Sequence, residues 1–233
     1  MLNSAVAHIM SLRGLFLRAG ILGFLWLFLP FWIFLAATFY FYFFPFFQPL
    51  RLALPFFLTL VTAAILPANV WFSLFIAALF FLILGIKNLI FVKRFGAHQL
   101  LVFFLLFLTF LSFFSGFETW QRWIVSLFAF GVSAVFLLLA KELADYHSES
   151  SRRRTFLTIG LGALFIWQLC LILLFLPLNY FYETALLFLS AVFLLDILLE
   201  HLKNRLDSRK ILADFSIFFV FTAVILASAR WGF

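Results

Sequence analysis

The 233-residue chain has little charge and few of the residues on which soluble chemistry depends. Asp, Glu, Lys and Arg together make up 11% of it, and it holds one Cys, four His and six Pro. A soluble domain is roughly a quarter charged, so a soluble fold is excluded, and with it most familiar enzyme classes. The single cysteine, Cys170, excludes a disulfide framework and any cysteine-based metal site. Inside the apolar run from Trp167 to Leu176 it reads as a small packing residue. His8, His98, His147 and His201 are too scattered for metal ligands, and there is no His-Glu-x-x-His. No glycine-rich loop ends in Gly-Lys-Ser/Thr, and Gly160-Leu161-Gly162 lacks the third glycine of a dinucleotide fingerprint. No cofactor and no metal is expected.

Apolar residues are what the chain has in excess. It is 67% hydrophobic and 22% aromatic, with 40 Phe. Eight spans of ~20 residues would take ~160 residues, close to this apolar share. The expectation is an all-α, polytopic transmembrane bundle forming a single integral membrane domain over 1–233. An interfacial segment over 1–20 comes first, with Ala5, Ile9, Leu12 and Phe16 at helical spacing. About eight spans follow, at 21–44, 50–66, 69–86, 98–117, 120–140, 155–176, 180–202 and 211–229. The first is too long for the apolar core of a signal peptide and is kept in the mature protein. Pro45, Pro49, Pro67 and Pro177 fall at span ends, where proline is tolerated. The second span is the weakest, being short and containing Arg51 and Pro55. Phe inserts into lipid about as well as Leu and fills gaps between helices, so it reads as packing and lipid-facing material.

The net charge of +7 belongs to the turns between apolar runs, where the positive-inside rule accounts for it without nucleic acid. Turns after the odd spans carry 12 of the 16 basic residues, which puts those turns in the cytoplasm and both termini outside. Arg13 and Arg18 object. Seven spans plus a re-entrant segment over 46–66 would bring the N-terminus inside. Arg152, Arg153 and Arg154 form the densest basic cluster and are candidates for contact with anionic lipid headgroups. A helical-hairpin repeat is suggested by Ser133-Ala134-Val135-Phe136-Leu137-Leu138, which recurs 57 residues on as Ser190-Ala191-Val192-Phe193-Leu194-Leu195.

Candidate chemistry concentrates at the last hairpin. Asp196, Glu200 and Lys203 share one helix face, and Asp214 rises from the other side of the turn. Glu200 can pair with Lys203 and Lys210 with Asp214, whereas Asp196 has no partner on its own helix. An intramembrane carboxylate of this kind is a functional candidate by default. Glu118 and Glu183 belong at outer interfaces, and Gln168 suits a hydrogen bond between helices. Close packing is expected at Ala129/Ser133, Thr158/Gly162 and Ala223/Ala227.

The function expected is that of a multi-pass integral membrane protein, in the cytoplasmic membrane if the source is prokaryotic. It acts as a non-catalytic scaffold or assembly partner, with the bilayer, anionic headgroups and other membrane proteins as partners. The alternatives are a small transporter and an enzyme acting on a lipid-linked substrate, with Asp196, Glu200 and Asp214 holding Mg²⁺ against a diphosphate.

Overall fold

The computed structural model describes residues 2–44, 52–88, 90–91, 94–116, 122–145, 152–203 and 207–229. Among them are nine helices and no strand: α1 (Leu2–Phe28), α2 (Phe31–Phe43), α3 (Ala53–Ile65), α4 (Val70–Lys87), α5 (Arg94–Gly116), α6 (Arg122–Asp145), α7 (Arg152–Leu173), α8 (Tyr180–Leu202) and α9 (Ser208–Ser228). The all-helical architecture is the one expected. Segments within α4 to α9 are long and apolar enough to cross a membrane, whereas α2 and α3 are shorter. The expectations for Pro45, Pro49, Arg51 and Glu118 fall outside the described residues. Two compact units divide the chain, Met1–Leu105 and Leu106–Phe233.

In the first unit α1 packs antiparallel to α4. Phe16 meets Phe81 with ring centroids 6.3 Å apart, and seven residues later the Gly23 carbonyl accepts a 2.8 Å hydrogen bond from Ser73 Oγ. The helices touch at Gly23, where a Cβ would lie 2.9 Å from Ala77 Cβ and 3.0 Å from Ser73 O. Trp26 Nε1 donates to the Ala63 carbonyl at 2.8 Å and ties α3 to the same helix. Leu15, Ala19 and Leu22 are buried, and the segment expected to lie in the interface continues without a break into the rest of α1.

The expected span over 21–44 is instead the end of α1 and a second helix. Pro30 precedes α2 with extended backbone, φ −54° and ψ 142°. Proline suits a helix start but disfavours helical geometry in the residue before it, so α1 stops and α2 begins here. Beyond Pro30 the chain reverses. Phe34 packs on Phe80 and Tyr42 reaches Lys87, so α2 runs in the direction of α4 and against α1. The N-terminal half of α1 and the C-terminal ends of α2 and α4 therefore lie at one end of the unit. An eight-span count puts the N-terminus and Lys87 at opposite ends; in this unit they lie at the same end.

The second expected span shortens to the 13 residues of α3, about 20 Å of helix. Pro55 sits buried in its first turn, where its missing N–H costs nothing. The Pro67-Ala68-Asn69 turn follows, and Asn69 Oδ1 caps α4 by accepting from Trp71 N at 3.3 Å. Between the helices the rings interlock. Tyr42 stacks on Phe56 at 4.0 Å, and Phe39 meets Phe56 edge-on at 5.4 Å. Phe34, Phe56 and Phe80 are buried while Phe24 and Phe28 face outward, the two uses expected of this residue.

In the second unit α7 packs closely on α8. A Cβ at Gly162 would lie 2.6 Å from Leu198 Cδ1, and Ala129 and Ser133 on α6 are buried, as small residues at helix contacts should be. The third expected pair does not follow. Ala223 and Ala227 are exposed, because α9 buries none of its residues. The last helix pair, α8 and α9, is antiparallel: Tyr182 Oη donates to Ser228 O at 3.0 Å, and Phe193 stacks on Phe218 at 4.9 Å. Asn179 and Asp207 cap the two helices by accepting from Phe181 N and Arg209 N. The serines that open the two repeated hexapeptides, Ser133 and Ser190, are both buried, and each bonds a carbonyl of its own helix at 2.8 Å.

Two polar residues are placed otherwise than expected. Gln168, expected to bond between helices, is exposed. Glu183 is buried in the first turn of α8, where the positive end of the helix dipole favours a carboxylate.

Candidate functional site

The turn between α8 and α9 brings the three candidate carboxylates together. Asp196, Glu200 and Asp214 line one small cavity with Asp207 and Lys210, closed by Ile197 and Ile211. Its volume is ≈ 10 Å³, space for about one water molecule. The capped start of α9 aims Lys210 back at α8. Its Nζ lies 3.1 Å from Glu200 Oε1 and 3.5 Å from Asp196 Oδ2. Asp196, which has no neutralising partner on its own helix, thus finds one on the next. The expected Lys210–Asp214 pair gives way to this bridge, because α9 packs along the face of α8 that carries both acids.

The Lys210 ammonium lies between two of these carboxylates, Asp196 and Glu200. Among the described residues, no three His, Cys, Asp or Glu side chains are grouped so as to hold a metal ion. The ion pairs are part-exposed, with 45% of the Lys210 side chain and 41% of Asp196 accessible, and such pairs contribute about 0–1 kcal/mol.

The arginine cluster opens α7. Arg153 and Arg154 are exposed, and Arg154 Nη2 donates to the His201 carbonyl at the end of α8, at 3.4 Å. The side chain of Arg152 lies outside the described residues. Cationic partners suit the negative end of a helix dipole, so Arg154 serves α8 as a C-terminal cap.

A second charged site was not visible in the sequence. Lys87, counted there with the turn cations, is 1% exposed. Its ammonium donates to the Tyr42 carbonyl at the end of α2 and lies 4.2 Å from the centre of the Tyr42 ring and 5.9 Å from that of Phe43. The last turn of α2 has no basic residue of its own. Lys87 supplies the missing charge, meeting a carbonyl of the last helical turn and a ring face of negative quadrupole. Nothing local marks this contact, since its partners lie 45 residues apart and meet only because α2 turns back.

No family model, curated protein or solved structure matches the chain. The fold and its charged sites define a class on their own: a multi-pass helical membrane protein. Its described charged groups lie mainly near helix ends.

Proposed function

We propose that this protein is a non-catalytic membrane scaffold or assembly partner that presents the outer face of its last helix to other membrane helices. The observation that carries this reading is α9, which buries none of its 21 residues within the chain. It rests on α8 through aromatic stacking and the Lys210 bridge. Its free face displays Val220, Val224 and small residues at Ala223 and Ala227, the surface that lets helices approach closely in lipid.

The charged sites support the same reading. Carriers aim broken-helix ends and intramembrane carboxylates at their cargo. Here a lysine of the chain itself fills each such place, Lys87 at the end of α2 and Lys210 at the acidic turn. Each lysine takes a place that an outside cation could otherwise fill, although four carboxylates line the cavity around Lys210.

Sidedness completes the proposal. With one pass per helix and the reversal at Pro30, 13 of the 16 basic residues fall on the side of the N-terminus, leaving Arg122 and Arg230 on the other and Arg18 near the middle of α1. The positive-inside rule makes that side cytoplasmic, where Arg152, Arg153 and Arg154 meet anionic headgroups.

Native gel electrophoresis of membranes solubilised from the source organism tests the scaffold reading. The wild-type chain is expected in a complex larger than itself. The double variant Ala223→Trp/Ala227→Trp should release it from that complex, because both positions are exposed and the change leaves the interior intact. The triple variant Asp196→Asn/Glu200→Gln/Asp214→Asn should remain in the complex. Migration of the wild type at its own mass, or loss of the complex only in the acidic variant, would reject the proposal.

A further inference from the structure

A groove runs along the outside of α1 where it meets α4. It has a volume of ≈ 680 Å³ and is lined by Leu12, Arg13, Phe16, Leu17, Gly20 and Phe81, a size typical of small-molecule sites. Five of the six are apolar or glycine. The α1 positions fall on one helix face over eight residues, about 12 Å. The single charge lies toward one end. Because α1 runs antiparallel to α4, Arg13 is near the level of Lys87, at the basic end of the unit, and Gly20 lies deeper along the helix. Arg13 is exposed, and no ion pair or hydrogen bond engages it among the described residues. At Gly20 the floor is open, for a Cβ there would meet nothing within 4 Å.

We propose that this groove binds one acyl chain of an anionic phospholipid whose phosphate is held by Arg13. The direction of the groove selects that ligand. A lipid in the same leaflet places its phosphate at the interface and its chain toward the middle of the bilayer, and the groove is a shallow, almost wholly apolar trough lined at one end by the stem of Arg13, whose exposed guanidinium is free to meet the phosphate. Arginine pairs with phosphate through two parallel N–H···O bonds. The rings of Phe16 and Phe81, 6.3 Å apart, give the chain an apolar wall, and the missing side chain at Gly20 leaves it room. A partner helix is a poorer fit, because the phenylalanines hold a second backbone away from the glycine floor. The site rests on the geometry of α1 and α4 and not on the scaffold reading.

The test uses the full chain in vesicles that contain a trace of a photoactivatable lipid with a diazirine in its acyl chain. The headgroup is either phosphatidylglycerol or phosphatidylcholine, in otherwise identical membranes. Peptides are mapped by mass spectrometry, and labelling is read only on residues 12–20 and on Phe81. The anionic probe is expected to label this peptide pair about fivefold more than the zwitterionic one, the ratio expected of one cation at an anionic membrane surface. Arg13→Gln should bring the ratio to about one, and Arg13→Lys should preserve most of it. Gly20→Leu fills the channel and should remove labelling by both probes, while thermal unfolding stays as in the wild type. Equal labelling by the two probes in the wild type overturns the proposal. So does a ratio that survives Arg13→Gln, or labelling that survives Gly20→Leu.

Discussion

Exchange of Lys87 for glutamate is expected to destabilise the N-terminal unit by about 3–5 kcal/mol, the range found when a buried charge loses its compensation. The lysine is sealed from its surroundings and bonded to the Tyr42 carbonyl, with the Tyr42 ring beneath it. A carboxylate in the same place would face a helix C-terminus and the negative face of the ring, so every attractive contact reverses sign. Lys87→Met separates charge from packing. It keeps an apolar stem of similar length and removes the ammonium, and should cost about 1–2 kcal/mol for the lost cation–π contact and hydrogen bond. Unfolding of the purified protein by sodium dodecyl sulfate in mixed micelles ranks the variants. The order expected is wild type, methionine, glutamate. A glutamate variant as stable as the wild type would show that α2 does not depend on Lys87.

The second large effect is expected at Gly23. A leucine there should cost about 3 kcal/mol, the upper range of overpacking penalties, because its Cβ alone would meet Ala77 Cβ at 2.9 Å and Ser73 O at 3.0 Å. One of these atoms is backbone and cannot rotate away, so α1 must move off α4. The hydrogen bond from Ser73 Oγ to Gly23 O, now 2.8 Å, is lost with that movement and adds about 1 kcal/mol. Gly20→Leu is the internal control. It makes the same change three residues earlier on the same helix, where a Cβ meets nothing within 4 Å, and should leave unfolding unaltered. Ala77→Gly should restore part of the Gly23→Leu loss by removing one of the two obstructing atoms. The same detergent titration reads all three variants. Equal stability of the two leucine variants would mean that α1 and α4 are not in close contact at Gly23.

Much of the helical plan was legible in the sequence because it depends on local pattern. The helices from α4 to α9 cover the expected spans, shifted by a few residues at their ends. The Pro67-Ala68-Asn69 turn was plain from its residue types, and the outward and inward uses of phenylalanine followed from composition. The reversal at Pro30 was missed for a physical reason. Residues 21–47 form an unbroken apolar run, and hydropathy cannot separate one long pass from two helices that turn at Leu29-Pro30. The signal lay in the proline itself, since the residue before it resists helical geometry.

The candidate site divides in the same way. Helical spacing placed Asp196 and Glu200 on one face and Asp214 across the turn, and all three line one cavity. Which cation answers them was not legible. Within a single helix Lys210 can reach Asp214, but packing of α9 on α8 sends it to Glu200 and Asp196. Lys87 and Gly23 stayed hidden because their meaning comes from partners 45 and 50 residues away, and no local pattern encodes such a contact.

The central claim is that the chain reverses at Pro30, so that its N-terminus shares a side with the basic turns. The most direct measurement attaches one topology reporter in turn to the N-terminus, to residues 146–151 between α6 and α7, and to the C-terminus, in intact cells. The N-terminus and residues 146–151 are expected to report the same side, the cytoplasm, and the C-terminus the opposite one. An N-terminus on the side opposite residues 146–151 would contradict the reversal, and with it the placement of Arg13 and Lys87 at one face of the membrane.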